Sequence, residues 1–113
     1  MDSILTSIKK LLGIQEEYTH FDDVLVMHIN STFMVLTQLG VGPEKGFRIA
    51  DATASWSDFL PEGSNLEAVK SYMHHKVKLL FDPPPGSAAM DAANRIISEL
   101  EWRLNVAVDP GKS

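Results

Sequence analysis

The chain contains no cysteine. Disulfides, thiolate nucleophiles and cysteine-based zinc sites are therefore excluded, and the composition fits a reducing compartment. No apolar run approaches the roughly 18 residues that span a bilayer, so no membrane association is expected. No secretory leader is expected either, because Asp2 comes early and polar residues separate the first apolar ones. Basic residues are scarce: ten Lys and Arg stand against 15 Asp and Glu, for a net charge of −5. That balance argues against wrapping nucleic acid, whose affinity comes mainly from cations neutralising phosphates. It still allows a passive acidic wall beside DNA.

Signatures of chemistry are missing as well. No serine sits in a GxSxG elbow. The glycines between Gly40 and Gly46 fit neither GxGxxG nor GxxxxGKS. The four histidines include no HExxH; adjacent His74 and His75 would point about 100° apart on a helix and chelate one ion poorly. His20 and His28 read as surface histidines of a helix rather than as a zinc site. Glu16-Glu17 and Asp22-Asp23 flank a helix start, where the dipole favours carboxylates. Lys70, Lys76 and Lys78 are flanked by Glu67 and Asp82, which suits a solvated face better than a DNA-reading one. We therefore expect no catalytic, cofactor or metal site and no enzyme.

What is present is a pattern of helices. The 113 residues suffice for one domain, taken as 1–113, and a chain of that size leaves much of its surface uncovered. The spacing of Ile4, Leu5, Ile8, Leu11 and Leu12 predicts a helix from Asp2 to Leu12, capped by Asp2 or Ser3 and stopped at Gly13. Thr19 and Asp22 read as a capping box for a second helix, His20 to Leu39. Its expected stripe is Phe21, Val24, Leu25, Met27, His28, Phe33, Leu36 and Leu39, and Val26, Ile29, Met34 and Val35 spill beside it. So broad an apolar surface implies burial on more than one side.

Gly40 to Ala54 is the least helical stretch, with Phe47-Arg48-Ile49 as a possible short extended piece. Its length suggests a functional loop. Ser55 and Asp58 predict a capped single turn carrying Trp56 and Phe59 into the core. Ser64 and Glu67 predict a box for a third helix running to Phe81, with Leu66, Val69, Tyr72, Met73, Val77, Leu80 and Phe81 on its apolar face. Asp82-Pro83-Pro84-Pro85-Gly86 makes a rigid corner. Ser87 caps a fourth helix to Val106, with Ala89, Ala93, Ile96, Ile97, Leu100 and Leu104 inward and Glu99 paired with Arg103. Residues 109–113 read as a flexible tail. The expected fold is all-α: about four helices, a long Gly- and Pro-containing middle loop and a flexible C-terminus.

Three residues on the last helix are misplaced for a solvated face. Trp102 lies about 200° around the helix from Leu100, and Arg95 and Val106 share its side. Either they form an interface with another chain, the favoured reading, or the helix is buried on two sides within one subunit. Phe47, Arg48 and Ile49 of the loop join them as candidate interface residues.

Three segments together carry a likeness: Ile8-Lys9-Lys10-Leu11-Leu12-Gly13-Ile14; the Asp22 to Leu39 helix closing in Leu39-Gly40-Val41-Gly42; and Leu66 to Phe81 running into Asp82-Pro83-Pro84. In this order they resemble the small head–tail connector, or adaptor, proteins of long-tailed phages and prophages. The resemblance covers nearly the whole chain. It implies a homo-oligomeric ring beneath the portal, of about twelve copies closed by rotation. One ring face would meet the portal and the other a stopper or tail-completion protein, with genomic DNA passing unbound through the bore. The protein would sit in the virion neck and in the host cytoplasm during assembly. The loop and tail would serve as docking arms. Alternatives are a tail-completion, tail-terminator or head-closure protein and, from another class, a helix-turn-helix regulator. The regulator would need a basic recognition helix after a tight turn, and the long Gly-rich break opposes it.

Overall fold

The computed structural model describes residues 3–60 and 65–108. It holds five helices there: α1 (Ile4–Leu11), α2 (Asp22–Gln38), α3 (Trp56–Phe59), α4 (Leu66–Phe81) and α5 (Ser87–Val108). These are the four expected helices plus the capped turn. No strand forms among the described residues; Ser3 and Ser55 make one isolated antiparallel bridge, so the protein is all-α.

Local sequence explains most ends. The Ser3 hydroxyl caps α1 by accepting the Thr6 N–H at 3.2 Å. α1 and α2 stop in the same way. Gly13 and Gly40 both take the left-handed conformation, at φ +80 and +85. In each case the next residue's N–H reaches back across the turn, Ile14 to the Lys9 carbonyl at 2.8 Å and Val41 to the Leu36 carbonyl at 2.9 Å. This is the Schellman stop, which satisfies orphan carbonyls at a glycine. Leu-Gly-Ile and Leu-Gly-Val thus do one job twice. The turn α3 has the expected capping box of Ser55 and Asp58.

Three caps differ from expectation. Thr19 and Asp22 form no box: α2 starts from Phe21 without a side-chain cap. The Asp22 carboxylate instead takes an ion pair with Lys9 of α1 at 2.8 Å, a partner 13 residues away that local rules do not see. α4 starts from Asn65 in the left-handed region, with no side-chain cap; Ser64 lies outside the described residues, and Glu67 sits 3.7 Å from Lys70. At α5, the Gly86 carbonyl accepts the Met90 N–H, so Ser87 is already helical rather than capping. The expected tail, 109–113, lies outside the described residues.

α4 is the central helix. It packs against both α2 and α5, Asn105 of α5 donates to the Leu39 carbonyl at the end of α2 at 3.3 Å, and α1 touches both α2 and α4. The core is one cluster: Ile4, Leu5 and Ile8 of α1; Leu25, Ile29, Phe33 and Leu36 of α2; Leu66, Val69, Tyr72, Met73 and Val77 of α4; Ile97 and Leu104 of α5. The burial corrects all four stripes. Leu11 of α1 is exposed; on α2, Met27 and Val24 are exposed while Ile29 is buried; on α4 Leu80 is exposed; and on α5 Ala89 and Ile96, expected inward, are exposed. Lys9 is buried too, with its stem in the core and its ammonium donating to the Glu16 carbonyl at 2.9 Å beside Asp22.

The middle segment, 40–55, is not a free loop. Val41 and Ile49 belong to the core. Asn30 of α2 meets Ile49 in both directions: its side-chain amide donates to the Ile49 carbonyl at 2.9 Å and its oxygen accepts the Ile49 N–H at 2.7 Å. A single carboxamide thus supplies the pairing a neighbouring strand would give, which is why Phe47-Arg48-Ile49 needs no strand. Phe33, Phe47 and Phe59 pack edge-on and tilted against one another with centroids 4.6 to 5.4 Å apart. The Trp56 indole N–H donates to Ser7 Oγ at 2.9 Å. For residues 40–60 the docking-arm expectation gives way to a segment pinned on the core.

Candidate interaction surfaces

Two apolar surfaces remain uncovered. The first is on α2. Asp23, Met27, Asn30, Met34 and Thr37 recur at helical spacing on the side opposite Leu25, Ile29 and Leu36. The segment carrying Lys45, Gly46, Phe47 and Arg48 runs alongside, and the two enclose a groove of about 690 Å³. Met27 and Met34 line it at 58% and 64% exposure. Methionines at this exposure give a soft, adaptable apolar floor. Lys45 and Arg48 are exposed at its rim.

The second surface is the outer face of α5. Trp102 is 66% exposed, the highest value among the large hydrophobic residues. Arg95 shares its side and is exposed, and Val106 is half-buried at its edge. Ile97 and Leu104 point the other way, into the core. Burial of Trp102 on a second side of the same subunit is thus not what the fold provides.

The six residues singled out from sequence therefore divide. Arg95, Trp102 and Val106 come together on α5. Phe47 and Arg48 come to the α2 groove, Phe47 with half its ring in the aromatic cluster. Ile49 is a correction: at 3% exposure it is a core residue, because the Asn30 clamp turns its side chain inward. Sequence reasoning missed the groove residues Met27 and Met34 as surface. Their seven-residue spacing was the available signal, hidden by the apolar residues on both sides of it.

The polar groups arranged inside the subunit read as structural. Tyr72 is buried on α4 and donates to Glu101 Oε2 of α5 at 2.7 Å. Burial, and then that carboxylate, push its phenol well above the usual range. His74 is held below its ordinary value, chiefly by burial and then by the neighbouring His75 and Lys78, while a hydrogen bond to the Leu11 backbone acts the other way. Among the described residues no group of three or more His, Asp or Glu could hold a metal ion, and no helix is long and apolar enough to cross a membrane.

Residues 4–111 match the family model described as phage connector protein. The chain belongs to the phage connector protein family. The resemblance carried by the Leu-Leu-Gly-Ile, Leu-Gly-Val-Gly and Asp-Pro-Pro segments is thereby borne out. The match spans all five helices, both Schellman stops and both uncovered surfaces of the connector. Its family is structural rather than enzymatic, and its role lies in the head–tail connector of a phage. No curated protein and no solved structure matches the connector chain.

Proposed function

We propose that this connector is the repeating subunit of an adaptor ring that docks beneath the portal. The ring joins the head to a stopper or tail-completion protein and lets the genome pass through its bore. The observation that carries this reading is the exposed Trp102 on a face of α5 turned away from the subunit's own core. An indole two-thirds exposed is costly to leave in water and is typical of the anchor of a protein interface. The acidic balance, −5 over the chain, suits a conduit that does not retain DNA. The subunit works in the virion neck after assembly in the host cytoplasm.

The test is native mass spectrometry of the pure protein, alone and mixed with the portal protein of the same genome. The expected outcome is a monomer that becomes a closed ring when portal is present. A stable dimer indifferent to portal would reject the adaptor role. Binding to tail tube in place of portal would favour the tail-completion alternative.

A further inference from the structure

The two uncovered surfaces belong to two different helices, each of which packs on α4. The groove opens on the side of α2 opposite Leu25, Ile29 and Leu36, and Trp102 stands on the side of α5 opposite Ile97 and Leu104. Each therefore faces away from α4. Two different apolar patches on one subunit are the requirement for head-to-tail association, in which one patch of each copy meets the other patch of the next.

We infer that the outer face of α5 of one copy seats in the α2 groove of the next, with Trp102 entering between Met27 and Met34. This rests on the ring assembly proposed above and names the surfaces that would close it. The chemistry of the two sides matches. The groove offers thioether side chains and the edge of Phe47 to an indole, and sulfur–aromatic contact is favourable. The charges match too. Exposed Arg48, next to the Ile49 that Asn30 holds, rims the groove, and exposed Glu99, beside Arg103, lies on the Trp102 side of α5. Asp23 at the start of the groove suits Arg95. The spacings agree, since Asp23 to Asn30 and Arg95 to Trp102 are each seven residues, roughly 10 Å along a helix. With Arg95 set against Asp23, Trp102 falls level with Asn30, midway between the two methionines.

The absence of cysteine from the chain gives a clean test. D23C and R95C each replace an exposed side chain and leave Trp102 in place, and circular dichroism checks that each variant folds. Each is oxidised alone and in a mixture of the two, at high concentration and on portal, with native mass spectrometry of the wild type run in parallel. A disulfide between D23C and R95C copies, with little from either variant alone, is the expected result. W102A should also weaken assembly by tenfold or more, the loss typical of a buried interface anchor. If wild type forms the ring on portal but the mixed disulfide does not appear, or R95C pairs with itself as readily, the head-to-tail contact is wrong and the ring survives. If the mixed disulfide forms but portal nucleates no ring, the contact stands and the adaptor role falls. If neither appears, both fall.

Discussion

α2 and α5 are the two long helices that pack on α4, and they are held very differently. α2 has 17 residues and buries Leu25, Ile29, Thr32, Phe33 and Leu36. α5 has 22 residues and, among those whose burial is described, contributes Ile97 and Leu104 to the buried core. α2 is covered on its inner side by α1, α4 and the 40–55 segment together. α5 packs on α4, through those two side chains, half-buried Leu100 and the Tyr72–Glu101 hydrogen bond, and Asn105 ties it to the Leu39 carbonyl at the end of α2. Helix length thus says little about how firmly a helix is anchored; the number of layers that cover it does.

The largest expected effect contrasts one aromatic from each side. Phe33→Ala should lower unfolding free energy by about 3–5 kcal/mol, the range for a buried aromatic that leaves a cavity. Trp102→Ala should stay within about 0.5 kcal/mol, as for surface positions. Urea denaturation of both variants measures the difference. A loss of several kcal/mol for Trp102→Ala would break the comparison, because it would make the outer face of α5 part of the subunit's own core.

Next in size is Asn30→Ala. It leaves the Ile49 N–H and carbonyl without their partner, and about 2 kcal/mol is expected for uncompensated buried backbone groups. Hydrogen exchange should then rise over residues 46–54 before it rises in α2 or α4. Tyr72→Phe sharpens the α5 side. It removes only the bond to Glu101, so about 1 kcal/mol is expected, with faster exchange confined to α5. The wild type should also lose stability as pH rises past 10, since the folded phenol resists ionisation and the unfolded one does not. Tyr72→Phe should remove that part of the alkaline loss.

The smallest effect is on the acid side. His74 is held below the ordinary histidine value of 6.5 in the fold, so the unfolded chain takes up the proton first. Stability should therefore decline as pH falls through and below 6.5, and His74→Asn should flatten that slope. Denaturation midpoints at pH 7.5 and pH 5.5 would show it. A wild-type stability that rises on acidification in this window would contradict the placement of His74 against α1.

Much of the fold was legible in the residues because its determinants are local. The helix stops at Gly13 and Gly40, the Ser55–Asp58 box, the proline corner and the Glu99–Arg103 pair each act within about one turn of chain. The candidate site was legible only in part. Trp102 could be placed off the inner face of α5 because two well-spaced core positions define that face. α2 gave no such bearing: apolar residues lie all round it, so Met27 and Ile29 looked alike until a neighbour chose between them. Asp22 was a plausible box partner for Thr19, yet an ammonium buried nearby competes better for a carboxylate than a backbone N–H does.

By itself, then, the sequence determined the all-α class, the number and order of helices, their stops, the lack of cysteine chemistry and the motifs that carry family resemblance. All of these depend on residues a few positions apart. Tertiary structure alone decided which side of α2 faces water, that Asn30 stands in for a strand beside Ile49, that Lys9 is buried on Asp22, and that the 45–48 segment lies along α2 to form the groove. Each joins residues distant in sequence or ranks equivalent apolar faces, and only packing in three dimensions supplies that information.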